Sequence, residues 1–146
     1  MEEIIPLTNI KAQLSASNWQ DAIRHAGEIL LTAGSIQEKY IDSMISAVYE
    51  YGPYMVIMPG LAIAHAAPGP DNGVIQNDVS LINLTSPVSF ISEEKIVSVV
   101  LCISCTDHDS HLKTMRRVAK ALMKEGSVDL LTTAKTDQEM YDIINS

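Results

Sequence analysis

The chain has 146 residues, 47% of them hydrophobic and 19% charged, which is enough for one domain with a well-buried core. A net charge of −8 excludes the domain-wide basic surface that nucleic-acid binding requires, and two cysteines do not support a secreted disulfide framework. Residues 1–14 lack the features of a signal peptide and no stretch has the length of a membrane span, so residues 1–146 are predicted to form a single cytoplasmic domain.

The first third of the chain predicts two amphipathic helices. Residues 1–17 are a lead-in that contains a short strand. Asn18 is suited to cap the first helix, in which apolar residues recur at helical spacing. Ser35 and Glu38 have the spacing of a capping box and open a second helix, which ends at Gly52. Because the two helices are joined so closely, we expect them to pack on a shared core.

Apolar runs in the middle of the chain predict strands. They cover residues 54–58, residues 61–65, a segment around residues 79–82, and residues 96–105. The last run is the most continuous. It is therefore predicted to be a central strand covered on both faces.

The end of the chain returns to helices. A third long helix is predicted from about residue 109 to residue 124, and a short one over residues 127–134. Thr136 and Glu139 form another capping box that opens a final helix. Helices thus alternate with strands. The predicted fold class is α/β, a single domain with a mixed, mostly parallel β-sheet of about five strands flanked by helices on both sides.

One histidine, His65, ends an apolar run of small residues between Pro59 and Pro68. An apolar site disfavours the imidazolium cation, so this side chain is predicted to be neutral. A neutral imidazole nitrogen can act as a nucleophile or as a metal ligand. The alternative, which these residues alone leave open, is a hydrogen-bonded core histidine.

Two further histidines follow the predicted central strand, at the start of the third helix. His108 and His111 lie where a strand end meets a helix N-terminus, a place suited to binding an anion such as phosphate. The alternative is that Thr106 or Asp107 only caps the helix and that both histidines are solvated.

Cysteine and histidine spacing also raises the question of a zinc site. Four possible zinc ligands follow one another at intervals of three residues, as in some zinc sites: Cys102, Cys105, His108 and His111. The two cysteines, however, stand at odd separation in one strand and should point to opposite faces. They are therefore interpreted as core residues, and neither a metal nor an organic cofactor is predicted.

The third predicted helix carries half of the basic residues of the chain. They are Lys113, Arg116, Arg117, Lys120 and Lys124. In an acidic protein such a face could dock a partner, or it could be a solvated helix surface with cations favoured near the C-terminal end. Both interpretations stay open.

Residues 52–65, Gly-Pro-Tyr-Met-Val-Ile-Met-Pro-Gly-Leu-Ala-Ile-Ala-His, resemble the active-site segment of a known family. This is the mannitol/fructose class of enzyme IIA domains of the bacterial phosphoenolpyruvate-dependent sugar phosphotransferase system (PTS). The helix start at Trp19 and the run around Pro59 and Gly60 resemble its ascorbate-specific branch. The resemblance covers nearly the whole chain.

The resemblance implies a role for two histidines. His65 matches the phosphorylated residue, which would accept a phosphoryl group from the phosphocarrier HPr. It would pass that group to a cysteine of the IIB component, which serves the membrane transporter IIC. His111 matches the histidine that contacts the phosphoryl group, and His108 is expected to be peripheral. Small residues are expected to let partners approach: Ala62, Ala64, Ala66 and Ala67. A homo-oligomer is compatible with this function.

The chain also departs from the family pattern. Family members commonly have Pro just before the active histidine and Arg two residues after it, where this chain has Ala64 and Ala67. Mannitol-type members carry another Arg near the end of the second helix, where this chain has Ala-Val-Tyr-Glu at 47–50. A regulatory module, in which phosphorylation of His65 controls a transporter or a transcription regulator, is therefore the alternative function.

Overall fold

The computed structural model describes residues 3–146, so the first two residues of the predicted lead-in lie outside the described residues. A 3-10 turn at Leu7–Asn9 precedes the first strand, and another at Pro70–Asn72 precedes β4. The strands and helices, in chain order, are β1 Ile10–Leu14, α1 Trp19–Thr32, α2 Glu38–Tyr51, β2 Val56–Met58, β3 Gly60–Ala64, β4 Asp78–Ser89, β5 Ile96–Ser104, α3 His108–Leu122, α4 Ser127–Thr133 and α5 Asp137–Ile144. Across residues 3–146 no helix combines the length and hydrophobicity of a transmembrane segment.

The five strands form one mixed sheet in the order β1-β4-β5-β3-β2. β1 runs parallel to β4 and β3 runs parallel to β5, whereas β4 with β5 and β2 with β3 are antiparallel. β5 occupies the centre of the sheet, as its continuous apolar sequence predicts. The predicted fold class is confirmed.

Helices cover both faces of this sheet and divide the core in two. α1 and α2 pack on one face and α3, α4 and α5 on the other. Alternation along the strands assigns each side chain to its layer. In β3, Ala62 and Ala64 face α1 and α2, while Leu61 and Ile63 face the opposite helices.

The two cysteines follow the same alternation and lie in opposite layers, as predicted. Cys102 is fully buried, with its sulfur 3.7 Å from the thioether sulfur of Met44. Cys105, directly after β5, is buried beneath the helices of the other face. Burial is the main cause that raises the pKa of both thiols, so they remain protonated core residues.

The first predicted capping box is wrong. α2 begins at Glu38, and Ser35 lies outside it as a fully buried residue. The Ser35 hydroxyl donates to Oδ2 of Asp78 at 2.6 Å and accepts from Nε2 of Gln76 at 2.8 Å. The neighbouring Ile36 forms an antiparallel bridge with Val74, which holds the segment extended.

The other predicted helix starts are confirmed by their hydrogen bonds. The Asn18 side chain accepts from the Asp21 amide at 2.8 Å, and the Thr136 hydroxyl accepts from the Glu139 amide at 3.1 Å. The Glu139 carboxylate reaches back to the amide of Lys135 at 3.2 Å, one residue before the position that a capping box predicts.

Candidate active site

The site forms where two parallel strands end at the same edge of the sheet. His65 directly follows β3, and α3 begins four residues after β5, its parallel neighbour. Asp107 caps α3 by accepting the Ser110 amide hydrogen at 2.7 Å. His111 therefore sits in the first turns of α3, and its ring centroid lies 5.4 Å from that of His65. The structure thus brings together the two histidines that the sequence analysis selected.

The hydrogen bond of the His65 ring fixes its tautomer. Nδ1 lies 2.6 Å from the carbonyl oxygen of Ile63. A carbonyl oxygen can only accept, so Nδ1 carries the proton and Nε2 keeps a free lone pair. Burial, aided by the neighbouring His111, lowers the pKa of His65 below its ordinary value, although the bond to Ile63 opposes this. The ring is therefore a neutral nucleophile at Nε2.

Tyr54, which the sequence analysis did not select, holds the His65 residue from the other side. Its hydroxyl donates to the His65 carbonyl oxygen at 2.7 Å, and its ring stands edge-on to the imidazole at a centroid distance of 5.2 Å and an angle of 90°. Burial, with a smaller effect of Tyr51, raises the pKa of Tyr54 to about 12, so it stays a donor. The signal for Tyr54 in the sequence was its position within the family-like segment 52–65.

Tyr40 supports the same loop from beneath. This fully buried residue of α2 donates its hydroxyl hydrogen to the carbonyl of Ile103 at 2.6 Å and accepts from the amide of Ala66 at 3.1 Å. It thereby joins α2, the end of β5 and the residue after His65. Burial raises its pKa, so the hydroxyl remains protonated. The helical pattern predicts that Tyr40 faces inward, but it does not predict the two hydrogen bonds of its hydroxyl.

These residues surround an open depression with a volume of about 300 Å³. Its surface is mostly apolar and aromatic. It is lined by Ala47, Tyr51, Tyr54, His65, Ala66, Ala67, Pro68, His108 and His111.

Two expectations about this depression need correction. Ala66 and Ala67 line it as expected, but Ala62 and Ala64 are fully buried beneath α1 and α2 because alternate strand residues point into that core layer. His108 was expected to be peripheral, yet it lines the depression. It precedes His111 by three residues on α3, which places both on one helix face.

The surroundings of His111 favour its neutral form, as those of His65 do. Burial, followed by the effect of His108, lowers the pKa of His111. Hydrogen bonds from the backbone and side chain of Ser110 lower the pKa of Asp107, which therefore remains a carboxylate at the start of α3.

The alternative zinc cluster does not form. Cys102 and Cys105 lie in opposite core layers, so they cannot join His108 and His111 around one ion. Within residues 3–146, moreover, no three His, Cys, Asp or Glu side chains are grouped as metal ligands.

Comparisons with known proteins agree on one family. The family model described as "Phosphoenolpyruvate-dependent sugar phosphotransferase system, EIIA 2" matches residues 3–146. The ascorbate-specific PTS EIIA component of Shigella flexneri is 29% identical, over 94% of this chain and 89% of that protein. The solution structure of the mannitol-specific cryptic phosphotransferase enzyme IIA CmtB from Escherichia coli superimposes with a TM-score of 0.88 at 28% identity, covering 99% of both chains.

A third comparison extends the agreement at the level of the fold. The mannitol enzyme IIA of Escherichia coli, solved in complex with phosphorylated enzyme IIB, has a TM-score of 0.84 at 21% identity. The superposition covers 96% of each chain.

Proposed function

Because the chain belongs to the EIIA 2 family of the phosphoenolpyruvate-dependent sugar phosphotransferase system, we propose that His65 is its phosphoryl carrier. Components of this family are phosphotransferases in the relay for sugar uptake. The observation that carries the proposal is the hydrogen bond from Nδ1 of His65 to the Ile63 carbonyl. It leaves Nε2 as the nucleophilic nitrogen beside an open depression.

The proposed reaction is two successive displacements at phosphorus. Nε2 of His65 forms a bond to the phosphorus of phospho-HPr, while the bond from phosphorus to the HPr histidine breaks and its electron pair returns to that imidazole. A cysteine thiolate of the IIB component then attacks the phosphorus, and the electron pair of the broken bond returns to Nε2. Such transfers depend mainly on positioning and electrostatics, and the contacts of His65 with Ile63 and Tyr54 support the positioning.

The shape of the site suits a group that two partners reach in turn. The depression is open, and Ala66 and Ala67 leave room around the imidazole. His111 is proposed to contact the phosphoryl oxygens, since its ring lies beside that of His65. We place the protein in the cytoplasm, where HPr and the IIB component would meet it, and the transporter IIC would be reached through IIB.

The relay is proposed to serve an ascorbate-type system. The ascorbate-specific relative and the segment around Pro59 support this choice, although the cryptic mannitol component is similar to nearly the same degree. Incubating the phosphorylated protein with purified ascorbate-type and mannitol-type IIB components compares the two directly. Faster transfer to the mannitol-type IIB would contradict the ascorbate assignment.

Phosphorylation itself is tested with radiolabelled phosphoenolpyruvate, enzyme I and HPr. The parent protein is expected to acquire an acid-labile phosphate, and His65→Ala to acquire none. His25→Ala, which changes a histidine on α1 outside the depression, is the matched control and should label like the parent. Equal labelling of His65→Ala would overturn the proposal. Labelling without transfer to any IIB would instead favour the regulatory alternative.

A further inference from the structure

The depression around His65 has too few permanent positive charges for the group it would hold. A phosphoryl group on Nε2 brings two negative charges, and such charges are ordinarily held by Arg, Lys or charged hydrogen-bond donors. The described residues that line the depression include no Arg and no Lys. Apart from His65 itself, the lining groups that can become cations are His108 and His111.

We propose that His108 is a second phosphoryl-binding residue, which takes up a proton when the phosphoryl group arrives and releases it when the group leaves. This inference rests on the proposed function of His65. In the phosphorylated state the His108 imidazolium donates a hydrogen bond to a phosphoryl oxygen, beside the contact made by His111. His108 thus supplies the charge that an arginine would otherwise provide.

The position of His108 supports this role. His108 and His111 are three residues apart on α3, so their side chains are neighbours on one helix face. Both line the depression that contains His65, and the His111 ring is already 5.4 Å from the His65 ring. His108 is exposed, which lets it exchange protons with water.

The surrounding charges make protonation depend on the phosphoryl group. The N-terminal end of α3 carries a partial positive charge, and His111 lies on the same face of this helix as His108. α2 and the segment after it contribute Tyr51 and Tyr54 to the lining, and the segment after β3 contributes His65. The acidic groups at the same end of α3 are Asp107, which accepts the Ser110 amide hydrogen, and Asp109. A phosphoryl dianion held beside His108 adds an opposite charge, which favours the imidazolium form of this side chain.

The proton is separate from the transfer chemistry. The bond from Nε2 to phosphorus forms as the bond from phosphorus to the donor histidine breaks, and the electron pair stays on the donor. The proton that His108 gains comes from water, and it returns to water after the phosphoryl group moves on. No further co-reactant is needed.

The test compares four proteins: the parent, His108→Ala, His108→Lys, and the control His25→Ala. The rate of labelling by phospho-HPr is measured between about pH 6 and 8, the range in which histidine titrates. Proton uptake on phosphorylation is measured by calorimetry in buffers of different ionisation enthalpy. Because His108 is exposed, the variants should fold, and a urea unfolding curve checks this for each one.

We expect His108→Ala to label about tenfold more slowly than the parent, the effect of losing one charged hydrogen bond. We also expect it to take up less proton on phosphorylation. His108→Lys carries a permanent cation, so it should regain much of the rate without regaining the proton uptake. His25→Ala should match the parent in both measurements.

The outcomes separate this inference from the proposed function. If His108→Ala labels at the parent rate with the parent proton uptake, while His65→Ala remains unlabelled, the role of His108 is wrong and the carrier stands. If His108→Lys is as slow as His108→Ala, charge is not what His108 supplies, and the inference is also wrong. If His65→Ala is labelled, both proposals are wrong.

Discussion

At the scale of single residues, the chemistry of His65 depends on one backbone carbonyl. The Ile63 carbonyl oxygen accepts a hydrogen bond from the protonated Nδ1, and this bond both orients the ring and leaves the lone pair of Nε2 free. The hydrogen bond joins His65 to a residue only two positions earlier, so it depends only on the backbone conformation at the end of β3. Burial and His111 then keep the ring neutral.

The lowered pKa of His65 predicts how stability changes with pH. In the unfolded chain the ring binds a proton near its ordinary pKa of 6.5, whereas the folded protein resists that proton. The unfolded state therefore binds more protons as pH falls through about 6.5, and the free energy of unfolding decreases. We expect it to be lower at about pH 5.5 than at about pH 7.5, and we expect His65→Gln to reduce this difference.

Urea unfolding at several pH values and constant ionic strength measures this effect. His25→Gln, which changes a histidine on α1 outside the depression, is the control. A pH dependence that is identical in the parent and in His65→Gln would contradict the prediction.

At the scale of elements, the start of α2 shows that a tertiary hydrogen bond can replace the local capping interaction that the sequence spacing predicts. Ser35 and Glu38 have capping-box spacing, but the Ser35 hydroxyl binds Asp78, which stands at the start of β4. The Ser35 carbonyl in turn accepts from the amides of Ile75 and Gln76. This segment is therefore held as part of the connection to β4, and the helix begins at Glu38.

Two substitutions distinguish these alternatives. Ser35→Ala should lower the free energy of unfolding by about 2 kcal/mol, because it removes the hydrogen bond that the buried Ser35 hydroxyl donates to the half-buried carboxylate of Asp78. Glu38→Ala should lower it by only about 0.5 kcal/mol, the contribution of an acidic residue in a first helical turn. Urea unfolding measures both. Similar losses of about 1 kcal/mol in the two variants would instead support a reciprocal capping box.

At the scale of the whole molecule, Tyr40 connects parts of the chain that lie far apart in sequence. Its hydroxyl joins α2 to the carbonyl of Ile103, 63 residues away, and also accepts the amide of Ala66. The loop that carries His65 is thus fixed to the central strand through a side chain of a different layer. The position of the proposed carrier therefore depends on the packing of α2.

Tyr40→Phe tests this connection. The variant leaves a buried carbonyl and a buried amide without their partner, so the free energy of unfolding should fall by about 2 kcal/mol. Labelling of His65 by phospho-HPr should also slow, because the loop loses its support. Tyr49→Phe is the control, because the hydroxyl of this exposed residue accepts a hydrogen bond from the side chain of Gln20 at 2.8 Å, and its loss should change the free energy of unfolding by less than about 0.5 kcal/mol. Equal effects of the two variants would contradict this role of Tyr40.

The sequence by itself determined the order of helices and strands, the central position of β5, the caps at Asn18 and Thr136, and the two histidines proposed for the site. The helices, strands and caps follow from hydrophobic periodicity and short-range hydrogen bonds, which are contained within a few neighbouring residues, whereas the two histidines were selected by the family resemblance. Only the tertiary structure decided that Ser35 binds Asp78, that Tyr40 and Tyr54 hold the His65 loop, and that His108 lines the depression. The physical reason is that these contacts join segments that strand pairing and layer packing bring together, so they cannot be predicted from the spacing of residues along the chain.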